Sequence, residues 1–332
     1  MTNPLAVVCK YCNSSAIVKF GTYKGTQRYF CKSCERKFKA DDSLFHMKVS
    51  AHHISSALDM YYKGLSFRDI ADHMQQEHDY RPSKSVIYQW VNKYMYMAID
   101  HFKDYTPIVG DTWVADETVL DLDNHKVWFW DIIDSDTRFL LASRASLTRR
   151  SVDAEMLMKN AAKRAGKSPK VIITDKLKSY LEGIEDTFGS DTEHIQSSPF
   201  AIGDSTALIE RFHGTLKDRV KVMRGFKDMD TLLEFTDGFL VYYDFLRPHE
   251  GLDGKTPAEA AKIDYRVKNW ADVSRLPISK KAEVKTHQVS ESKFSHIEPR
   301  TVETRAVTIP KVHKHIREPR VVRPTLAKMR RV

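Results

Sequence analysis

Four cysteines form two pairs near the N-terminus, with the spacing of metal-binding knuckles. They are Cys9 and Cys12, in "CKYC", and Cys31 and Cys34, in "CKSC", and the sequence has no other cysteine. Two residues between thiolates let one tight turn present both sulfurs to a tetrahedral Zn²⁺. The 18 residues between the pairs suit a hairpin that returns the second pair to the same ion. We predict a structural zinc ribbon; disulfides or a redox-active pair are the alternatives.

A second chemical signal is a set of acidic residues on predicted strands and a predicted helix. Asp116 interrupts an apolar run and Asp175 ends the apolar stretch "KVIITD". A carboxylate in a core strand is costly unless a proton, a cation or hydrogen bonds neutralise it. With Glu210 as third member, the set suits two Mg²⁺ or Mn²⁺ ions, which take carboxylate oxygens and leave positions for water and phosphate. We interpret most of the competing aspartates as turn or surface residues; they are Asp111, Asp121, Asp123, Asp131, Asp134 and Asp136.

The segment "ALIERFHGTLKDRVKVMRGF", residues 207–226, has the periodicity of an amphipathic helix. Its apolar stripe consists of Ile209, Phe212, Leu216, Val220 and Met223. The neighbouring polar stripe consists of Glu210, His213, Lys217, Lys221 and Arg224. We predict that the basic members of this polar stripe contact DNA beside a metal-binding Glu210. An ordinary solvated face with ion pairs between successive turns is the alternative.

The elements that would position the acidic residues alternate between strand and helix patterns. Residues 111–123 and 125–146 contain three β-rich runs, the last two joined by a turn at "DSDT". A helical pattern follows at residues 151–166, and then "KVIITD", a short strand of the kind buried inside a sheet. This order predicts a mixed α/β domain. Asp175 would lie at the carboxyl end of a strand, where ligands of open α/β sheets bind.

Residues 48–96 have helical patterns with two clear start signals. Ser66 precedes "FRDIADHMQQEH" and Ser83 precedes "KSVIYQWVNKYMYMAI", and serine is a favoured N-cap. A short helix, a turn and a second helix are typical of a helix-turn-helix whose last helix enters a DNA major groove. The candidate DNA contacts are Lys84, Ser85, Tyr88, Gln89 and Lys93. A three-helix segment with no role in DNA binding is the alternative.

Charge is distributed unevenly along the 332 residues, whose net charge is +9. Residues 1–50 contain 9 Lys/Arg against 3 Asp/Glu and residues 271–332 contain 15 against 6, whereas the residues between them contain 29 against 35. Two basic ends suit a polyanion such as DNA, although basic ends also serve solubility. We expect residues 266–332 to be a poorly ordered tail. No apolar run has the length of a membrane span, so we expect a cytoplasmic protein without a membrane partner.

Four segments together resemble a known family. "WVADETVLDL", "VIITDKLKSY", "ALIERFHGTLKDR" and "YYDFLRPHEGLDGKTPAEAA" look like a DDE transposase of a prokaryotic insertion sequence, with a retroviral-integrase, RNase H-like catalytic core. The 34 residues between Asp175 and Glu210, and Lys217 seven residues after that glutamate, resemble insertion-sequence group six and its archaeal relatives. Relatives often have Asn four and three residues before the glutamate, where this chain has Thr206 and Ala207. The departure puts a supporting hydrogen bond in doubt.

The resemblance implies a fold, a domain order and an activity. The domains would be a zinc ribbon at residues 1–45, a helix-turn-helix at 46–100, an α/β catalytic core at 106–265 and the basic tail. Asp116, Asp175 and Glu210 would bind two Mg²⁺ ions, nick the transposon ends and activate the freed 3′-OH to attack target DNA in line.

The resemblance also implies partners. Lys217 would contact a phosphate near the transposon end, the N-terminal domains would recognise the terminal inverted repeats, and a homodimer or higher oligomer would hold two ends. We interpret Arg247 and His249 as parts of a structural turn, with an approach to DNA as the alternative. A transposase-derived DNA-binding regulator without catalysis, or a nuclease of the same fold, remains an alternative function.

Overall fold

The computed structural model describes residues 7–12, 14–23, 25–39, 49–197 and 206–276. The first of these segments form a small antiparallel sheet with the strand order β1-β2-β3. Its strands are β1 (Ile17–Tyr23), β2 (Thr26–Cys31) and β3 (Lys37–Lys39). Cys9, Cys31 and Phe38 make up the buried centre of this sheet. So small a centre cannot stabilise a fold by apolar burial alone, which is the usual situation in domains that fold around a metal.

Three helices follow, α1 (Ala51–Tyr62), α2 (Phe67–His78) and α3 (Lys84–Phe102). The predicted N-caps are confirmed, because the Ser66 hydroxyl accepts a hydrogen bond from the Asp69 N–H and the Ser83 hydroxyl accepts one from the Val86 N–H. Gly64 ends the turn after α1 with a φ of 103°, a backbone conformation that residues with a side chain rarely adopt.

A mixed five-stranded sheet forms the centre of the molecule, with the strand order β6-β5-β4-β7-β8. Its strands are β4 (Thr112–Leu122), β5 (His125–Asp134), β6 (Leu140–Ser146), β7 (Val171–Thr174) and β8 (Glu193–Gln196). β5 is antiparallel to both β4 and β6, whereas β7 is parallel to both β4 and β8. The turn predicted at "DSDT" does join β5 to β6. The short strand β8 was not predicted from the sequence.

Further helices follow in the described chain. They are α4 (Ser151–Ala165), α5 (Lys178–Phe188), α6 (Ala207–Met223), α7 (Met229–Val241), α8 (Pro257–Ala260) and α9 (Trp270–Arg275), with a π-helical turn at Tyr242–Leu246. Of these, α4 and α6 pack on the sheet, whereas α9 packs against α1 and α3. Trp270 and Val273 of α9 are buried. Residues 266–276, which we expected to belong to the tail, are therefore folded against the rest of the chain. The remainder of the expected tail lies outside the described residues.

The helices α1 to α3 share one apolar core with the sheet and its helices. The Tyr62 ring stacks on Tyr242 at a centroid distance of 4.9 Å and on Trp270 at 4.8 Å. The buried Arg219 guanidinium of α6 lies 3.8 Å from the Tyr61 ring centroid and donates a hydrogen bond to the Leu65 carbonyl. These contacts join the end of α1 to the helix that carries Glu210. Within the described residues, no helix is both long and apolar enough to cross a bilayer.

Candidate active site and cysteine cluster

Asp116 and Asp175 lie side by side on adjacent strands. Val114 of β4 pairs with Ile173 of β7 in parallel register. Asp116 and Asp175 each follow those partners by two residues, so the same register brings them to neighbouring positions on one face. Asp175 comes directly after β7, where the Leu177 N–H donates a 2.8 Å hydrogen bond to its Oδ1. The predicted proximity of these two aspartates is therefore present in the structure.

Glu117 joins the two aspartates at this site. The sequence did not predict this third carboxylate. Asp116, Glu117 and Asp175 each place a carboxylate oxygen within 4.8 Å of the other two. The Glu117 side chain is only 2% exposed. Its Oε1 accepts a hydrogen bond from Arg149 Nη2, but its buried Oε2 has no hydrogen-bond partner. Such an orphaned buried oxygen is costly without a proton donor or a cation.

Arg149 places a positive charge beside this carboxylate cluster. Its Nη2 lies 3.9 Å from Asp175 Oδ2, in addition to its bond with Glu117. The guanidinium is also 4.5 Å from the Trp128 ring centroid, a cation–π distance. Arg149 lies just before α4, far from the carboxylates in sequence, and no local pattern marks it. It offsets part of the repulsion among the three acids.

His213 is buried between two aspartates, contrary to the DNA contact that we predicted for it. Its Nε2 lies 3.0 Å from Asp131 Oδ2 and its Nδ1 lies 3.5 Å from Asp116 Oδ2. The Ser143 hydroxyl donates a hydrogen bond to the other oxygen of Asp131. Burial opposes the charged imidazole, but the hydrogen bonds to Asp116 and Asp131 outweigh it and raise the pKa of His213 to about 9. A side chain with 5% exposure cannot reach DNA.

Two other aspartates differ from their predicted roles. Asp131 is fully buried, and burial raises its pKa. Asp134 is fully buried as well, and it accepts hydrogen bonds from the Gly110 N–H and from the N–H and hydroxyl of Thr137. Asp134 takes part in the turn after β5, as predicted, but its side chain is buried; Asp131 lies inside β5, so a turn or surface position does not describe it. Asp136 is exposed, as predicted.

Glu210 lies in the first turn of α6, outside the group of three carboxylates. It is exposed, and its Oε1 accepts a 2.8 Å hydrogen bond from the Thr206 hydroxyl. Threonine at this position thus supplies a supporting hydrogen bond where relatives of the resembled family often have asparagine. Glu210 precedes His213 by about one helical turn, so it lies on the side of α6 that adjoins Asp116.

The predicted DNA contacts divide into exposed and half-buried side chains. The exposed residues are Lys84, Ser85, Tyr88 and Gln89 on α3, and Lys217, Lys221 and Arg224 at α6 and its end. Lys93 is half-buried, with its Nζ 5.2 Å from the Tyr94 ring centroid, and burial lowers its pKa. Arg219, which the sequence pattern did not single out, is turned inward.

The four cysteine sulfurs form a compact cluster. Cys9 Sγ lies 3.6 Å from Cys34 Sγ and Cys12 Sγ lies 3.5 Å from Cys31 Sγ, and all four thiols are free. Four sulfurs bound to one tetrahedral Zn²⁺ by bonds of about 2.3 Å would lie about 3.8 Å from one another, close to the distances in this cluster. Burial opposes ionisation of Cys31, but the backbone N–H groups of Cys34 and Ser33 outweigh it and lower its pKa to about 6. The cluster therefore fits a metal ion held by thiolates.

The fold and the carboxylates define the class of this domain. A mixed five-stranded sheet flanked by helices, with paired carboxylates on its central strands, is an RNase H-like catalytic core. Residues 110–249 match the DDE domain of the transposase family DDE_Tnp_IS240. The chain therefore contains a DDE transposase domain, which confirms the resemblance seen in the sequence.

Two similar solved structures are integrase catalytic core domains and a third is an intasome. The HTLV-2 integrase core, in complex with magnesium, has 18% identity and a TM-score of 0.37, covering 47% of this chain and 99% of that chain. The BIV integrase core has 18% identity and a TM-score of 0.34, covering 46% of this chain and 94% of the BIV chain. The simian T-cell lymphotropic virus intasome, in complex with PP2A regulatory subunit B56 gamma, has 14% identity and a TM-score of 0.38. The match covers 68% of this chain and 78% of the intasome chain. None of the curated proteins matches the chain.

Proposed function

We propose that this chain is an insertion-sequence transposase that nicks the transposon ends and joins them to target DNA. The observation that carries the proposal is the placement of Asp116 and Asp175 at neighbouring strand positions inside the matched DDE domain. Their carboxylates converge at the carboxyl end of β7, which is open to a substrate because Asp175 is 41% exposed. DNA phosphates are the substrate that suits such a site.

The residues present fit divalent metal ions. Carboxylate oxygens are the ligands that Mg²⁺ and Mn²⁺ prefer, and the orphaned Oε2 of Glu117 is a buried oxygen that lacks a partner. We propose that Asp116, Asp175 and Glu210 hold two such ions, with Glu117 as a competing third ligand. Bound ions would lower the pKa of water or a 3′-OH and neutralise charge on the phosphoryl group.

Other residues of the chain hold these ligands in position. His213 donates to Asp131 and approaches Asp116, so it limits the rotation of Asp116. The Thr206 hydroxyl restrains Glu210, and Arg149 restrains Glu117 and Asp175. Fixed carboxylates cost no reorganisation during the reaction, which is the main way in which a protein accelerates phosphoryl transfer.

We propose that the N-terminal segments recognise the terminal inverted repeats. The exposed side chains near the start of α3 would contact base edges, and Lys217 would contact a phosphate beside the carboxylates. The cysteine cluster would hold Zn²⁺ and so stabilise the small sheet. Joining two ends requires at least a homodimer, which would act in the cytoplasm next to the chromosome.

A strand-transfer assay tests the function and identifies the third ligand. The substrates are a labelled duplex that ends in any inverted repeat found in the DNA on either side of the gene, and a supercoiled plasmid as target. With Mg²⁺, the wild type should join the two, and Asp116→Asn or Asp175→Asn should lower joining by several orders of magnitude without weakening DNA binding. Asp136→Asn, at an exposed residue, is the matched control and should retain activity.

Comparison of Glu210→Gln with Glu117→Gln decides between the two glutamates. Loss of joining in Glu210→Gln supports the assignment of Glu210, whereas loss only in Glu117→Gln assigns the role to Glu117. DNA binding without any cleavage by the wild type would favour the regulator, and cleavage without joining would favour the nuclease. Either of these results would refute the proposed function.

A further inference from the structure

A cavity of about 440 Å³ lies beside α6 and contains three arginines. Arg211 comes from α6, Arg138 from the turn between β5 and β6, and Arg247 from the segment after the π-helical turn. We call this cavity the arginine groove. It is lined by residues from three separate parts of the chain, so only the folded protein brings these guanidiniums together.

The arginine groove has an excess of positive charge. Within the described part of the chain, Arg138, Arg211 and Arg247 form no ion pair with any carboxylate. Glu250 is the only acidic residue of the lining. His249 adds no charge near neutral pH, because burial and the nearby Arg247 lower its pKa to about 4. Three cations and one anion leave a net charge of +2 in the groove.

The three arginines line the cavity together with Tyr243 and lie near enough for their charges to act on its hydroxyl. Burial raises the pKa of the Tyr243 hydroxyl, and the positive charges of Arg247, Arg138 and Arg211 each act against that increase. The Arg247 guanidinium lies 5.7 Å from the Tyr243 ring centroid. Arginines gathered without an acidic partner suit an anion with several oxygens, and the guanidinium fork binds phosphate oxygens through two parallel hydrogen bonds.

The walls of the arginine groove are held by backbone structure. The His249 N–H donates to the Lys255 carbonyl at 3.0 Å, and His249 Nε2 lies 3.2 Å from the Tyr243 carbonyl. The Arg138 guanidinium packs on Gly251, where a Cβ atom would lie only 2.1 Å from its Nη2. The missing side chain at position 251 thus leaves room for this approach. Part of the cost of arranging the groove for a ligand is thus met when the chain folds.

The arginine groove lies on a different side of α6 from the carboxylates. Its α6 residues, Leu208, Arg211 and Thr215, are roughly 160° around the helix from His213, at about 100° per residue. His213 is the residue that contacts Asp116. A phosphate in the groove would therefore not be the one that reacts at the carboxylates.

We propose that the arginine groove binds a phosphodiester of DNA at a second position, apart from the reacting phosphate. The inference rests on the proposed function in one respect, that DNA is the polyanion this chain binds. It explains why Arg247, in the "RPHEGLDGK" segment, belongs both to a structural turn and to a charged surface. The turn positions the guanidinium and the guanidinium holds the DNA backbone.

The test measures DNA affinity of the full chain as a function of salt. The probe is a fluorescein-labelled duplex of arbitrary sequence, followed by fluorescence anisotropy. The double variant Arg211→Gln/Arg247→Gln should reduce the slope of log affinity against log salt by about 0.9, since the loss of one phosphate contact changes the slope by roughly 0.9. Its affinity should fall about tenfold at roughly 0.1 M salt.

Two comparisons separate the site from a general effect of charge or folding. Arg266→Gln removes an exposed arginine that is not part of the groove, and it should change the slope much less. Arg211→Lys/Arg247→Lys keeps the charge and should retain most of the slope. A Gln double variant with the wild-type slope and affinity would overturn the inference. If the wild-type protein binds no duplex, the proposed function is overturned as well. If it binds DNA normally but does not join strands, the proposed function fails while the assignment of the arginine groove is still supported.

Discussion

Replacement of His213 by leucine should destabilise the protein more than an ordinary core substitution of similar size. Asp131 is fully buried and depends on two donors, Ser143 and His213. Without the imidazole, one carboxylate oxygen of Asp131 stays buried without a partner. Removal of one member of a buried pair costs about 3–5 kcal/mol. For His213→Leu we expect the free energy of unfolding to fall by about 3 kcal/mol, the lower end of this range, because Ser143 still donates to Asp131 and a proton can neutralise the carboxylate.

Chemical denaturation without added Mg²⁺, followed by tryptophan fluorescence, measures this effect. Trp113 and Trp130 are both buried in the sheet and report on its unfolding. Adding Asp131→Asn to His213→Leu removes the unpaired charge and should recover at least about 1 kcal/mol. His52→Leu, at an exposed position on α1, is the matched control and should change stability by less than about 0.5 kcal/mol. A loss below about 1 kcal/mol in His213→Leu, or no recovery in the double variant, would refute this account.

Three further predictions concern other parts of the molecule. A Cβ at Gly183 of α5 would lie 2.7 Å from the Glu155 nitrogen and 2.8 Å from the Ala154 Cβ of α4, so Gly183→Val should lower the free energy of unfolding by at least about 2 kcal/mol. Its control is Gly214→Ala, where a Cβ meets nothing within 4 Å; in the same chemical denaturation it should be neutral or stabilising by up to about 1 kcal/mol. Metal analysis should find about one Zn²⁺ per chain and protected thiols, and a chelator should unfold the N-terminal sheet while the larger sheet persists; full thiol reactivity in metal-replete protein would argue against it. Because the folded pKa of His249, about 4, lies below its ordinary 6.5, the unfolded chain binds the proton first and stability should fall as pH drops through that interval. His249→Asn should reduce this dependence on pH, and an unchanged profile would contradict the assignment.

The sequence by itself determined the features that depend on local spacing. The N-caps Ser66 and Ser83 were predictable because a serine hydroxyl needs only the backbone of the next turn to form its hydrogen bond. The approach of the four cysteines followed from two short knuckles and a hairpin. Asp116 and Asp175 were recognisable because an acid in an apolar strand is costly, and the parallel register of β4 and β7 then aligned them.

Tertiary packing decided which side chains complete the site. The helical pattern placed His213 on the same stripe as Lys217, but the depth at which α6 packs on the sheet buries the histidine between two aspartates and leaves the lysine exposed. Side chains alternate along a strand, so Glu117 should point to the face opposite Asp116, yet the two carboxylates and that of Asp175 lie within 4.8 Å of one another.

The convergence of distant charges also belongs to the tertiary structure. Arg149 reaches Glu117 from a segment 32 residues later in the chain, and no short-range pattern encodes that contact. The arginine groove likewise combines a turn, a helix and the segment after a π-helical turn. Periodicity specifies which residues share a face of one element, whereas the burial and pairing of a charge depend on which elements pack against that face. That is why the sequence determined the DDE domain and two carboxylates of the cluster, and only the folded chain determined their partners.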